Sequence, residues 1–346
     1  MPATRHRVPR EERVASVMSA HLATVRPLSG RVLVVDDEAG AVEAELSRSG
    51  AVVCAWRRRA VGDRPARPWP ADGSFDAATL RLPKGRESLR MLLHAAVSRV
   101  RPGGNVWLYG ANDEGARSAE PLLGSVLREV RTVEARGHCR IWRGIRGAGP
   151  AQLRSALSDW ESRFTVELPG GAVRVLTYPG LFAHGRLDDG TRLLIESLPL
   201  KLPGLQVLDF GCGAGVIALA LRQRFPEAEL DLVDSDALAV EASRRNLPGA
   251  RVHLGDAWSA LPGSDRFDLI VSNPPFHRGK EEDFELIRKL IDGAAQRLRR
   301  RGALLVVAQR RLALGRWLED RFAAVRVERE SRSHRLWFAT RSLWQS

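Results

Sequence analysis

Apolar positions along the chain fall into short runs separated by helix-like patterns, and this alternation occurs twice. In the first half, Arg31–Val35 reads as a strand, Ala39–Ser49 as a helix and Ala51–Trp56 as a second strand. Phe75–Leu80 reads as a strand, Glu87–Val100 as a helix, and Asn105–Tyr109 as a strand entered through the turn Pro102-Gly103-Gly104. In the second half, Gln206–Phe210, Glu229–Val233, Ala250–Leu254, Phe267–Ser272 and Ala303–Ala308 read as strands. Helices are predicted over Val216–Phe225, Ala237–Asn246, Asp283–Leu298 and Leu312–Phe322, with β-rich runs at Val325–Glu330 and Arg335–Thr340. Strands alternating with helices predict an α/β fold, a mostly parallel sheet covered by helices on its faces.

The two halves look like copies of one architecture. Residues 1–28 are expected to form a flexible arm and 29–145 a first domain. A Gly/Ala/Arg-rich connector spans 146–165, and the second domain spans 166–346. The length of 346 residues suits two domains at roughly 150 residues each. Within the first half, Arg57–Gly73 is rich in Arg and Pro and reads as a loop.

Composition narrows the class. No run approaches the roughly 18 apolar residues of a membrane span. The first residues carry acids and prolines without an apolar centre, unlike a secretory signal, so the cytoplasm is the expected compartment. Cys54, Cys139 and Cys212 follow no metal-ligand spacing, and neither a metal nor a disulfide framework is expected. The formal net charge is +13. Residues 1–150 hold 25 basic and 16 acidic residues, a net of +9, against 29 and 25 in the remainder. A basic surplus suits a polyanionic partner. Only four of the 54 basic residues are Lys, so nucleotide composition is a competing explanation.

The sharpest local signal is Val207-Leu-Asp-Phe-Gly-Cys-Gly-Ala-Gly215. An apolar strand carries Asp209, and three glycines at alternate positions lead into a helix. Such glycines permit positive φ and close approach of a ligand to the backbone, and the helix start offers N–H groups. A dinucleotide fingerprint would be G-x-G-x-x-G. Here Gly211 and Gly213 are followed by Gly215, and Val216 stands where the last glycine should be. That departure argues against NAD and suits S-adenosylmethionine, whose amino-acid part carries charges but no phosphate. Asp234, about 20 residues on, is placed to accept from ribose hydroxyls. Asp236 can substitute for it or cap the next helix. Asp256, after the third strand, can accept from the adenine amino group.

Ile270-Val-Ser-Asn-Pro-Pro-Phe-His277 follows the fourth strand. Prolines stiffen the backbone and remove donors. The Asn273 side-chain oxygen and the Pro274 carbonyl can then both accept from one planar NH₂, and Phe276 can stack on a base. An acceptor pair beside an aromatic platform is aimed at an exocyclic amine. His277 invites a base role, although a guanine N2 amine is too poor an acid for a neutral imidazole to deprotonate outright. His184 reads as a loop residue. Trp258 reads as a wall residue near the adenine or as core.

Together, Asp-x-Gly-x-Gly-x-Gly and Asn-Pro-Pro-Phe resemble the class I amino-methyltransferases. The fuller string Ser272-Asn-Pro-Pro-Phe-His-Arg-Gly279, with Tyr178-Pro-Gly-Leu-Phe182 and Leu187-Asp-Asp-Gly190, is similar to the bacterial ribosomal RNA guanine-N2 methyltransferases, above all the 16S enzymes of the C type. Leu82-Pro-Lys84 and Gly110–Glu120 extend that likeness into the first half. The resemblance implies two tandem Rossmann-like class I methyltransferase domains, the N-terminal one degenerate and aiding folding and RNA binding. It implies S-adenosylmethionine as cofactor, bound by Asp209, Gly211, Gly213, Asp234 and Asp256, with Phe182, Asp188 and Gly190 closing over the methionine end. Asn273, Pro274 and Phe276 become the acceptor shell. Val35-Asp-Asp-Glu-Ala-Gly40 keeps too few glycines for a second cofactor site, and the Arg57–Gly73 insertion has no counterpart in the pattern.

The expected reaction is methylation of a guanine N2 in ribosomal RNA, naked or in the 30S subunit, by a monomer. The rivals are a large-subunit guanine-N2 enzyme, a DNA adenine or protein glutamine methyltransferase, and a non-catalytic RNA-binding assembly factor.

Overall fold

The structure is a computed structural model that describes residues 9–25, 28, 30–148, 152–201, 204, 206–274 and 281–341. The chain divides into two compact units. One holds the chain up to Arg58 and Pro65–Trp160; the other holds Arg59–Arg64 and the chain from Glu161 onward.

The first unit begins with α1 (Arg10–Leu22). The segment expected within a flexible arm is thus a packed helix over these residues. Val14, Ala15, Met18 and Leu22 fall on one face and are buried in a core with Val32, Val34, Trp107 and Tyr109. The apolar stripe is thin and sits among charges, which is why composition alone reads it as unstructured. There follow β1 (Gly30–Val35), α2 (Ala41–Arg48), β2 (Ala51–Trp56), β3 (Phe75–Arg81), α3 (Arg86–Val97), β4 (Val100–Ala111), α4 (Glu120–Gly124), β5 (Arg128–Arg136) and β6 (Cys139–Ile145). The sheet order is β2-β1-β3-β4-β6-β5, with only the β5 and β6 pairings antiparallel. The hydrophobic pattern did not announce β5, because Arg-Glu-Val-Arg-Thr-Val-Glu-Ala-Arg is an edge strand with charges on its solvated face.

The second unit opens with the antiparallel hairpin β7 (Ser162–Leu168) and β8 (Gly171–Thr177), then α5 (Asp189–Glu196). Then come β9 (Gln206–Phe210), α6 (Val216–Arg224), β10 (Glu229–Asp234), α7 (Ala237–Asn246), β11 (Arg251–Leu254) and β12 (Phe267–Ser272). The chain closes with α8 (Glu281–Arg297), β13 (Leu298–Gln309), α9 (Leu314–Glu319), β14 (Ala324–Glu330) and β15 (His334–Thr340). The sheet order is β11-β10-β9-β12-β13-β15-β14. It repeats the first sheet strand for strand, with β11 added at one edge. Leu208, Phe210, Ile270, Ile291, Leu304 and Trp337 lie in its core. The chain runs from β9 outward in one direction to β10 and later returns to β12 on the other side. That reversal opens a crevice at the carboxyl ends of β9 and β12, where ligands of open α/β sheets bind.

Among the described residues, no helix is long and apolar enough to cross a membrane.

Candidate active site

The glycine loop lies at the end of β9. Gly211, Gly213 and Gly215 all have positive φ, at 74°, 56° and 79°. Gly211 and Gly213 face open space where a Cβ would stand. Gly215 instead needs its small size for packing, because a Cβ there would lie 2.7 Å from Leu247 Cδ1. Gly215 is the N-cap of α6 and has no side chain with which to cap it. The start of a helix offers N–H groups suited to a ligand.

Helix α7 holds the loop from behind. Ser243 Oγ donates to the Gly213 carbonyl at 2.9 Å, and Asn246 Nδ2 donates to the Ala214 carbonyl at 2.9 Å. The motif reading missed both. Their three-residue spacing puts them on one face of α7, and this is the signal that could have found them.

Asp209 is 1% exposed, and neither carboxyl oxygen has a hydrogen-bond partner of normal geometry among the described residues. Burial raises its pKa to about 7, with the Ala218 amide pulling the other way and Asp234 pushing it further up. An orphaned buried carboxyl beside a glycine cradle fits a cationic ligand group. Asp234 is half-buried and its pKa is raised by desolvation. It accepts from the Gly213 N–H and the Asp236 N–H, both at 2.9 Å. Asp236 caps α7, accepting from the Leu238 N–H at 2.9 Å. Asp256 is half-buried at the start of the turn Ala257–Ala260.

Trp258 is half-buried and packs against the core. Its ring lies 4.8 Å from that of Phe210, and its Nε1 donates to the Lys289 carbonyl at 2.7 Å. The Arg59–Arg64 segment, read as part of a loop, joins this unit at the same edge. The Ala60 N–H donates to the Ser235 carbonyl at 2.8 Å, between the two acids Asp234 and Asp236.

Across the crevice, Ser272 Oγ donates to the Phe210 carbonyl at 2.8 Å and ties the end of β12 to β9. Asn273 follows. Its Nδ2 donates to Asp188 Oδ2 at 3.0 Å and to Thr191 Oγ1 at 2.9 Å. Asp188 is the N-cap of α5, and the same oxygen accepts from the Gly190 and Thr191 N–H groups. The resemblance assigned Asp188 and Gly190 to the cofactor wall; in the structure both face Asn273. A Cβ on Gly190 would lie 3.3 Å from Asn273 Oδ1 and 3.3 Å from His334 Cδ2. His334, at the start of β15, thus comes to the same place without any motif to mark it. Pro274 is buried. Phe182 is 53% exposed after β8. Nδ1 of His184 is 3.2 Å from Thr177 Oγ1. Phe276 and His277 lie outside the described residues. No group of three or more His, Cys, Asp or Glu among the described residues could hold a metal.

The first unit has the same frame and different chemistry. Asp36 keeps the left-handed turn after β1, with φ 55°, and Gly40 caps α2 with φ 73°, as Gly211 and Gly215 do in the second unit. But Asp37 Oδ2 accepts from the Val42 and Glu43 N–H groups at 2.9 and 3.0 Å. The start of α2 is thus filled by a side chain of its own turn. Val35 is in register with Leu80, and Asp209 with Val271. Extending the first ladder by one step and the second by two pairs Asp36 with Arg81 and Gly211 with Asn273, which places Arg81 where Asn273 stands. Arg81 is buried and pairs with Glu11 at the start of α1 and with Glu114, both at 2.8 Å.

Such a sheet and glycine cradle, with an asparagine-proline acceptor end, define an S-adenosylmethionine-dependent methyltransferase preceded by a degenerate copy of itself. The family model described as methyltransferase small domain matches residues 172–337, and that of its N-terminal domain matches residues 27–164. Two proteins named ribosomal RNA small subunit methyltransferase C are similar over most of their length. That of Hahella chejuensis is 32% identical, covering 91% of this chain and 95% of its own. That of Stutzerimonas stutzeri is 38% identical, covering 79% and 81%. The structure of the Thermus thermophilus 16S rRNA N2 G1207 methyltransferase in complex with AdoMet and guanosine superposes with a TM-score of 0.83 at 27% identity, covering 95% of this chain and 92% of that one. The chain belongs to the ribosomal RNA small subunit methyltransferase C family.

Proposed function

We propose that this chain methylates the exocyclic N2 of a guanine in small-subunit ribosomal RNA. The observation that carries the reading is the Asn273 amide. Both of its N–H bonds are engaged, so Oδ1 is left to accept. An exocyclic NH₂ is the group such an acceptor suits.

The second unit holds S-adenosylmethionine through Asp209, Asp234, Asp256, the Gly211–Gly213 cradle and the start of α6. When bound, that cofactor supplies an electrophilic methyl group. Asn273 Oδ1 and the Pro274 carbonyl accept from the two amine hydrogens and turn the nitrogen lone pair toward the reacting side. Phe276 supplies a face for the base. The target guanine must leave any stack to reach this end of the sheet. Acceptors held rigidly in place contribute through positioning and charge complementarity. The proton lost from nitrogen passes to water. Phe182 covers the site from the loop after β8.

The first unit serves as a basic, cofactor-free RNA-binding copy. The partner is then the ribosomal RNA within the 30S subunit, met by a monomer in the cytoplasm.

The test is methyl transfer from tritiated S-adenosylmethionine to small subunits, large subunits, free ribosomal RNA and DNA from cells lacking the protein. Label recovered as N2-methylguanine in small-subunit RNA is expected. Label in large-subunit RNA or in DNA instead would replace this reading with one of its rivals.

A further inference from the structure

An acceptor asparagine is ambiguous by itself, because rotating its amide by half a turn exchanges oxygen for NH₂ at nearly the same positions. A flipped Asn273 would present donors to the substrate amine and repel it. Something must choose the orientation. Asp188 makes that choice and Thr191 holds the plane of the amide, and both come from the start of α5. Asp188 Oδ2 is a carboxylate oxygen and can only accept when ionised. Thr191 Oγ1 lies 2.9 Å from the same Asn273 nitrogen. Thr191 is 8% exposed, so water does not readily take its place. The two acceptors consume both N–H bonds of Asn273 and fix the plane of the amide.

We propose that Thr191, together with Asp188, is a positioning residue that locks the Asn273 amide with Oδ1 toward the substrate, and so selects an amine over a carbonyl at the reacting position. This rests on Asn273 as the acceptor of the amine. Asp188 already binds two backbone N–H groups of α5 and cannot turn away without uncapping the helix. Thr191 supplies the second direction, without which the amide can pivot about its single bond to Asp188. Gly190 lies between them and leaves room beside Oδ1, since a Cβ there would come within 3.3 Å of it.

The experiment uses the full chain with S-adenosylmethionine and small ribosomal subunits from cells lacking the protein. Turnover, RNA KM, cofactor Kd by calorimetry and melting temperature are measured for Thr191→Val, Thr191→Ser, Asn273→Ala and the Thr191→Val/Asn273→Ala double variant. Val keeps the shape of Thr and replaces its hydroxyl with a methyl, which cannot accept. Thr191→Val is expected to lower kcat by about tenfold or more, the order of one lost well-placed hydrogen bond. RNA KM and cofactor Kd should stay within about twofold of their starting values. Thr191→Ser should restore most of the turnover. In the Asn273→Ala background, Thr191→Val should change nothing further, because a residue acting only through Asn273 has no effect once that side chain is gone.

Should the Val variant fail to fold, Thr191→Ala enters the same cycle. Normal turnover in Thr191→Val, alongside collapsed turnover in Asn273→Ala, overturns the lock and leaves the acceptor reading standing. A Thr191→Val loss that persists undiminished without Asn273 also overturns it. Normal turnover in Asn273→Ala removes the acceptor reading, and the lock with it.

Discussion

Asn273 Nδ2 donates to Asp188 Oδ2 at 3.0 Å, across 85 positions of sequence. The pair joins the acceptor end of β12 to the N-terminus of α5. It determines what a substitution at 273 does. Asn273→Ala removes the acceptor while leaving the glycine loop intact. Turnover is expected to fall about a hundredfold or more, on the order of 3 kcal/mol, with cofactor Kd within a few-fold. Near-normal turnover would remove the amine-acceptor role.

Asn273→Asp tests the same contact through charge. It sets a second carboxylate against Asp188, and two carboxylates at hydrogen-bond distance share one proton. The protonated pair still donates across the contact and holds the side chain in place; the doubly ionised pair has no donor there, and the two carboxylates repel each other. Turnover of Asn273→Asp relative to the parent is therefore expected to rise as pH falls from about 8 to 6. A flat ratio over that range would mean that the contact does not govern the side chain.

Asp209 gives a pH dependence of opposite origin. Burial raises its folded pKa to about 7, above the ordinary carboxyl value. A raised carboxyl pKa means that the folded state binds the proton more tightly. The stabilisation is present below about pH 4 and is lost as pH rises through about 7. Asp209→Asn is expected to raise the melting temperature of the cofactor-free protein at pH 8 and to have less effect at pH 5. Cofactor binding should weaken in the same variant, and in the parent it should weaken as pH drops below about 7. Calorimetry across pH reads both, and a variant with unchanged cofactor affinity would release Asp209 from the site.

The glycines of the loop are expected to separate by kind. Gly215→Ala puts a Cβ 2.7 Å from Leu247 Cδ1 at φ 79° and should cost stability, about 2 kcal/mol or more. Gly213→Ala meets nothing within 4 Å. Its stability loss should be only the strain of positive φ, about 1–2 kcal/mol, while cofactor binding suffers more because the new methyl stands in the cradle. Denaturant unfolding and cofactor titration of the two variants should rank them in opposite orders.

Arg81→Met should act on the first unit alone. It leaves Glu11 and Glu114 facing each other without their cation, and breaking such a pair costs about 3 kcal/mol when buried. Glu11 is partly exposed, which places the expected loss at or below that figure. A lower first melting transition with unchanged cofactor Kd is the expected result. A changed Kd would show that the first unit participates in cofactor binding.

Local chemistry determined much of this protein. The alternation of short apolar runs with helical periods specified two α/β units, because a strand buried on both faces has no other composition to use. The places of Asp209, Gly211, Gly213, Asp234 and Asn273 at the carboxyl ends of strands were legible because each lies within a few residues of a turn that its own neighbours dictate. The tertiary structure decided what depends on distant partners. Helix α1 forms because its thin stripe of Val14, Met18 and Leu22 finds a core to cover. Asp188 meets Asn273 because α5 begins beside the end of β12. Thr191, His334, Ser243 and Asn246 carry no motif; each matters only through the side chain or carbonyl that folding brings next to it. Sequence proximity encodes backbone conformation, whereas hydrogen bonds between strand end and helix start exist only once the sheet has set their separation.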